Sequence, residues 1–384
     1  MSDLPATAAV VIVGGGCIGA SIAFHLAEAG VSDVVVVERA AVGSGSTSKA
    51  AGGVRATFSD EINVRIGRRG LDAFAAFTDR PGAHIEFQRC GYLYLLDREA
   101  DVAAFRASVA LQRGVGIDVD FVAPERVPEL SPLADPEGLL AAVWSPDDGK
   151  VTPEGVAQGY AIGARRHGAR VIEGCAVSSI DVEGDRVVGV TTDRGSIAAE
   201  HVVVAAGAWS AQIAATAGLE LPIVPSRRQC AYTGPMADLP RELPLTFDFA
   251  NSAYLHREGQ GIVIGMSLRD EPDGFRLETD DLWLERFLDV AERRFPRLAE
   301  AGVASQWAGL YENTPDHNAV IGSSRTTTGL HYAAGFSGHG VMQSPPVGEV
   351  VRDLIMGEAP PIDVSPLSAE RFAEGRLRAE YNVI

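Results

Sequence analysis

Lysine is nearly missing from this chain of 384 residues: only Lys49 and Lys150 occur, so almost all of its positive charge is arginine. Acidic residues outnumber basic ones, 51 to 33, and the formal net charge is −18. A balance of that sign argues against a nucleic-acid or anionic-membrane surface. The four cysteines, Cys17, Cys90, Cys175 and Cys230, are scattered, with no C-x-x-C pair among them. Their spacing offers neither a zinc site nor a disulfide framework, so no metal is expected and a reducing, cytoplasmic compartment is. Long apolar runs are lacking too. The first one is broken by glycines and is too short to span a bilayer, and no basic start of the signal-peptide kind comes before it. There is no internal repeat and no low-complexity segment. With 46% hydrophobic and 22% charged residues, the composition is that of a globular protein, long enough for two domains and a large core.

Glycine, by contrast, is plentiful, and near the start it is organised. Residues 10–13 form an apolar run that breaks into Gly14-Gly15-Gly16-Cys17-Ile18-Gly19. Ile18, Ile22 and Leu26 then recur at helical spacing, Gly30 stops the helix, and a second apolar run, residues 34–37, ends at Glu38. Strand, glycine turn, helix and strand in that order make a dinucleotide-binding unit. Gly14 makes the turn, Gly16 admits a pyrophosphate, and Gly19 lets helix and strand pack closely. The helix N-terminus around Ile18 receives the phosphate charge, and Glu38 stands where a carboxylate can take ribose hydroxyls. Directly after Glu38 and Arg39 comes a lean loop, residues 43–55, of small and hydroxyl residues. Gly45, Ser46, Thr47, Ala51 and Gly52 can lie against a second stretch of ligand there, with the two hydroxyls within reach of phosphate oxygens. A nicotinamide cofactor has little use for such a loop; FAD does.

The run from Glu38-Arg39 through Ser46-Thr47-Ser48-Lys49-Ala50-Ala51-Gly52-Gly53-Val54-Arg55 resembles the glycine/D-amino-acid oxidase (DAO) superfamily of FAD enzymes. It looks most like the branch of sarcosine oxidase β-subunits and proline or D-amino-acid dehydrogenases. The likeness returns at Leu310-Tyr311-Glu312-Asn313-Thr314-Pro315-Asp316 and at Gly335-Phe336-Ser337-Gly338-His339-Gly340. The resemblance implies an α/β fold with an α+β second domain: a Rossmann-like FAD-binding domain of the glutathione reductase type, interleaved with a substrate domain on a mostly antiparallel sheet. Residues 1–82, 151–225 and 315–365 are assigned to the first, 83–150 and 226–314 to the second, and 366–384 to a charged, helix-prone tail on the surface.

Along the chain, apolar spacing predicts helices over 61–77, 99–113, from Pro153 onward and over 282–295. Strands are expected over 92–96, 169–172, 187–192, 201–205, 253–256, 261–265 and 331–334. The strand at 201–205 ends in a small-residue turn with Gly207 at a ligand-contact position; Trp209 beyond it suits core and cofactor equally. Arg227-Arg228-Gln229 marks re-entry into the second domain. Ser344 reads as the cap of a helix with Pro345 and Pro346 in its first turn. Through the resemblance, Val177 would meet the adenine by its backbone. Gly338, His339, Gly340, Val341 and Met342 would hold the flavin ring, their amides stabilising negative charge near N1 and the C2 carbonyl.

The chemistry implied is oxidation of a carbon–nitrogen bond in a small amino acid, N-methylated, cyclic or of D configuration, by hydride transfer to flavin N5. Arg55 is the expected carboxylate ligand. Tyr311 falls where sarcosine oxidases carry an active-site tyrosine, and Tyr254 and His256 are further candidates, with His339 on the ring-binding turn. Three departures from monomeric sarcosine oxidase matter: Gly309 replaces the flavin-linked cysteine, Met342 a substrate-binding lysine, and Val263 the oxygen-activating lysine. The FAD should therefore be non-covalent. With so few lysines, a dehydrogenase passing electrons to a quinone, a partner flavoprotein or another carrier is favoured over an oxidase using oxygen. Homo- and hetero-oligomers are both open. Two rivals stand beside this reading: a 2-hydroxy-acid dehydrogenase of the same fold, which needs a base such as His256 or His339, and a flavin-binding assembly factor or non-catalytic subunit.

Overall fold

A computed structural model describes residues 4–383 of the chain. Valine-rich strands Thr7–Val13 and Val34–Val37 pair in parallel at the centre of an eight-stranded sheet. Parallel strands covered on both faces must be apolar throughout, and Val34–Val37 is buried at every position. Gly195–Val204 lies parallel to the other side of Thr7–Val13, Leu330–Ala334 parallel beyond it, and Arg170–Ile172 beyond Val34–Val37. The antiparallel strand Val320–Ser323 closes one edge, and a meander of Val177–Glu183 and Arg186–Thr192 hangs off Gly195–Val204. The register aligns Val13, Val37, Val204, Ile172 and Tyr332, so the strands end together along one edge. Helix Cys17–Glu28 is buried from Cys17 to Ala27 because Pro153–Arg166 and Gly340–Met356 flank it on the sheet.

A second eight-stranded sheet, antiparallel except where Leu245–Asp248 runs parallel to Tyr92–Leu96, draws on 92–145 and 224–313. Alternation sorts its faces. Leu93, Leu95, Leu255, Ile262 and Ile264 pack with Trp283, Phe287 and Ala291 of helix Asp281–Arg294. Tyr92, Tyr94 and Phe247 pack toward the first sheet. The two sheets face each other across one cavity.

Three expectations are corrected here. The strand placed at 201–205 begins at Gly195, since its first half is recruited by the meander. The last long helix begins at Gly340, so Ser344 is not its cap and both prolines are internal. Pro345 has no N–H for the Val341 carbonyl four residues back; the Ser344 hydroxyl donates to that oxygen instead, at 2.8 Å. The tail is not a surface appendage. Arg371, 0% exposed, forks onto Asp316 at 2.9 Å through both Nε and Nη2. Glu380, also buried, accepts from the Ser59 hydroxyl at 2.6 Å and the Asn63 amide at 3.0 Å. Charge alone suggested solvent; the pairing with buried partners reverses that. Ile384 lies outside the described residues.

Candidate active site

The cavity has a volume of about 670 Å³ and runs from the strand ends of the first sheet to the inner face of the second. At its cradle, Gly14 has φ +109° and a Cβ there would stand 2.3 Å from the Ala205 carbonyl oxygen. A Cβ on Gly19 would stand 2.0 Å from the Gly14 oxygen. The protein itself forbids side chains at both. Gly16 is different: its nearest obstacle is Thr47 Oγ1 at 3.3 Å, and it borders the cavity. The space it leaves is therefore ligand space. The helix N-terminus carries no side-chain cap from its own Ncap residue, though the Cys17 amide donates to Thr47 Oγ1 at 3.2 Å. The Ser46 hydroxyl is spent on the Leu310 carbonyl, at 2.8 Å.

Glu38, Arg39, Gly45, Ala51, Gly52, Val177 and Gly207 all border the cavity. The Glu38 carboxylate accepts from the amides of Gly15 at 2.7 Å and Ala40 at 2.9 Å, which fixes it at the strand tip. The Arg39 guanidinium lies 3.5 Å over the Trp209 ring, and Phe275, from the loop before helix Asp281–Arg294, stacks on the same indole at 5.3 Å. Trp209 is thus a cavity wall rather than core.

At the other end, Gly338 has φ +95°, and a Cβ there would fall 2.4 Å from the Tyr311 ring. Only glycine lets the turn and that tyrosine coexist. His339 is the N-cap of Gly340–Met356, again with no side-chain cap, and Val341 and Met342 line the cavity in the first turn. Uncapped amides at a helix N-terminus suit developing negative charge. The aromatic floor joins Tyr92 to Phe247 at 5.2 Å and Phe247 to Tyr254 at 5.4 Å. Tyr254 Oη sits 3.2 Å from Cys230 Sγ. Burial pushes the Tyr254 and Tyr311 phenols up and the Cys230 thiol up to about 11, so none is a base or thiolate near neutrality.

Arg55 borders the cavity, but its donors are occupied. Nη1 donates to the Thr57 carbonyl, Nη2 to the Asn382 carbonyl, and Nη2 also lies 3.4 Å from His339 Nε2. Because guanidinium only donates, Nε2 is the acceptor and His339 is neutral; burial first, and Arg55 next, hold its pKa well below the ordinary value. His256 does not line the cavity, and burial lowers it to about 4.

Three wall residues had no role in the sequence reading. Arg228 places its guanidinium 4.8 Å from the Tyr311 ring, with Nη1 on Ser226 Oγ at 2.8 Å and on the Arg227 carbonyl at 2.9 Å. Its buried Nε has no hydrogen-bond partner, and burial lowers its pKa. Arg227, the next residue, points the opposite way, onto Glu271 and Asp280. Reading 224–233 as a strand with period 2 would have separated the two. Lys49 also lines the cavity, beside Gly309. Lys150 is paired with Glu258 at 2.5 Å. Glu312 is the third. Among the described residues no group of histidine, cysteine and carboxylate side chains could hold a metal ion.

A nucleotide cradle at the strand ends, facing a ring-sized chamber roofed by a second sheet, defines a flavin-dependent oxidoreductase. The chain belongs to the DAO family of FAD-dependent oxidoreductases, whose model matches residues 9–354. It is similar to L-proline dehydrogenase from P. horikoshii, with a TM-score of 0.91 and 33% identity over 98% of this chain and 100% of that one. It is 31% identical to 4-methylaminobutanoate oxidase (formaldehyde-forming) of Paenarthrobacter nicotinovorans, over 98% of this chain and 47% of the relative. Human mitochondrial dimethylglycine dehydrogenase is 30% identical over 96% of this chain and 44% of its own length. The chain thus spans about half the length of these two relatives. FAD is the family's cofactor, and the glycine cradle, the uncapped helix starts and the chamber fit it.

Proposed function

We propose that the chain oxidises the C–N bond of a small amino acid or N-methyl amino acid, with non-covalent FAD as the hydride acceptor. The observation that carries this is Arg228, a half-buried arginine in the chamber whose buried Nε is free and which has no ion-pair partner among the described residues. A desolvated cation without a counter-ion is costly, and a substrate carboxylate supplies the missing charge. Arg228 and Tyr311 would hold that carboxylate. Tyr254, Phe247 and Tyr92 would pack the rest of the substrate and exclude water. Arg55, first expected in the carboxylate role, would instead tether the His339 turn that seats the ring. Glycine at position 309 favours an unlinked flavin. The sheets would form the cores of two domains, with boundaries as assigned above.

Relatives acting on proline, dimethylglycine and 4-methylaminobutanoate support an amine with a carboxylate nearby. A hydroxy acid would need a base. His339 Nε2 is occupied by Arg55, and His256 stands outside the chamber. The electron acceptor is read as a quinone or partner flavoprotein, with oxygen open because Lys49 borders the cavity. No helix among the described residues is long and apolar enough to cross a membrane; a cytoplasmic site of action is part of this proposal.

The test is anaerobic bleaching of the FAD-loaded protein with sarcosine, dimethylglycine, L-proline, D-alanine, 4-methylaminobutanoate and 2-hydroxyglutarate. Reduction by one or more of the amines, and none by the hydroxy acid, is expected. Loaded protein that no amine bleaches would instead support a non-catalytic, flavin-binding role.

A further inference from the structure

Glu312 sits near the end of strand Val303–Asn313, and its carboxylate borders the cavity. Oε2 accepts from the Gly335 amide at 3.0 Å. Among the described residues no arginine, lysine or histidine forms an ion pair with it. It stands next to the phosphate cradle. A Cβ on Gly207 would lie 4.0 Å from Oε2, and the preceding Ala205 and Ala206 are the backbone that closes over Gly14. Cys17, the first residue of the helix whose N-terminus faces the cavity, experiences the Glu312 charge.

With no cation paired to it among the described residues, the Glu312 carboxylate would repel a pyrophosphate brought into the adjoining cradle. We propose that Glu312 is a cofactor-binding residue that works as a neutral acid, FAD entering the cradle with one proton taken from solvent onto the Glu312 carboxyl. Protonation removes the like charge and turns an acceptor into an O–H donor for the ribityl–pyrophosphate segment. The inference rests on the assignment of FAD to this cavity.

Even without ligand, burial raises Glu312 to about 7, against the pull of the Gly335 and Phe336 amides. The neighbours do not titrate in the same range. The Cys17 thiol is pushed up to about 11 by burial, and His339 on the adjoining turn is held far below its ordinary value. Burial lowers His317 as well. Tyr311 on the same strand is raised. Arg228, on the strand paired with Glu312's, contributes a fixed charge near neutrality. Glu38 lies across the cradle, on the tip of Val34–Val37, bonded to Gly15 and Ala40.

The test is FAD titration of the apoprotein by flavin fluorescence between pH 6.0 and 8.5, beside calorimetry in buffers of different ionisation enthalpy. Kd should be flat below about pH 6.5 and rise toward about tenfold per pH unit above 7, with about one proton taken up per FAD near pH 8. Glu312→Gln, neutral at every pH, should bind FAD with a flat profile. A wild-type Kd independent of pH, zero proton uptake, or the wild-type slope persisting in Glu312→Gln would overturn the proposal. Calorimetry on the wild type decides the matter even if the variant misfolds. Failure to bind FAD at any pH would instead sink the cofactor assignment.

Discussion

Arginine carries almost all the positive charge, and three arginines withdrawn from bulk solvent, two of them buried, divide three tasks between them. Arg371 is neutralised by Asp316, Arg55 is absorbed by backbone carbonyls, and Arg228 is left open. Breaking the first should cost stability alone: Arg371→Ala is expected to lower the unfolding free energy by about 3–5 kcal/mol, read by denaturant titration. Removing the third should cost binding. Arg228→Ala should raise KM for an amino-acid substrate on the order of 100-fold, with flavin content unchanged. Arg55→Ala should do the reverse, releasing flavin before it weakens substrate. Equal effects from both variants on KM would refute the division. The motif around Arg55 was legible because its residues are contiguous. Its task was not, because the carbonyl that occupies it belongs to Asn382, 327 positions away.

At the level of elements, the legible parts were those whose signals are local. The strand–turn–helix near the start announces itself through apolar spacing and three glycines, each required by an approach of under 3 Å or by the ligand's own room. Tyr92–Leu96 was placed residue for residue, since its apolar run is bounded by turn residues. The wall that carries Arg228 and Tyr311 was hidden, because it arises where 224–233 pairs with both 261–266 and 303–313; no window of sequence contains that juxtaposition. Helix Gly340–Met356 misled for a physical reason. A Ser-Pro-Pro run ordinarily starts a helix, whereas here Ser344 repairs the gap its proline neighbour creates. Ser344→Ala should leave the Val341 carbonyl unpaired and cost about 1–3 kcal/mol, seen as a lower melting temperature. Gly70→Ala should be worse tolerated than an ordinary helical substitution, because a Cβ there would lie 2.3 Å from the Met342 carbonyl oxygen.

For the molecule as a whole, buried histidines set the response to acid. Burial lowers His25 and His256 to about 4 and His331 to about 3, and holds His339 well below its ordinary value. Groups with a folded pKa below the unfolded one bind more protons when unfolded, so each removes stability as pH falls below about 6.5, at about 1.4 kcal/mol per pH unit. Asp148, raised to about 6, and Glu312 act in the opposite sense, since both hold protons better when folded. Burial lowers His201 and His317 as well, so six groups against two leave a net loss on acidification. The melting temperature should therefore fall steadily from pH 6.5 to 5, and a profile that rises over that window would contradict the assignment of buried, neutral histidines.

The cradle is assembled from residues 14–19, the chamber roof from 224–312, and the ring-holding turn from 338–342. A ribosome making this protein releases its first glycines long before the turn that must grip the other end of the ligand. No nascent intermediate short of Met342 carries both walls. Capture of the nucleotide is thereby deferred until the stretch through Met342 has been synthesised, and supply of flavin before that point should matter less than supply after it.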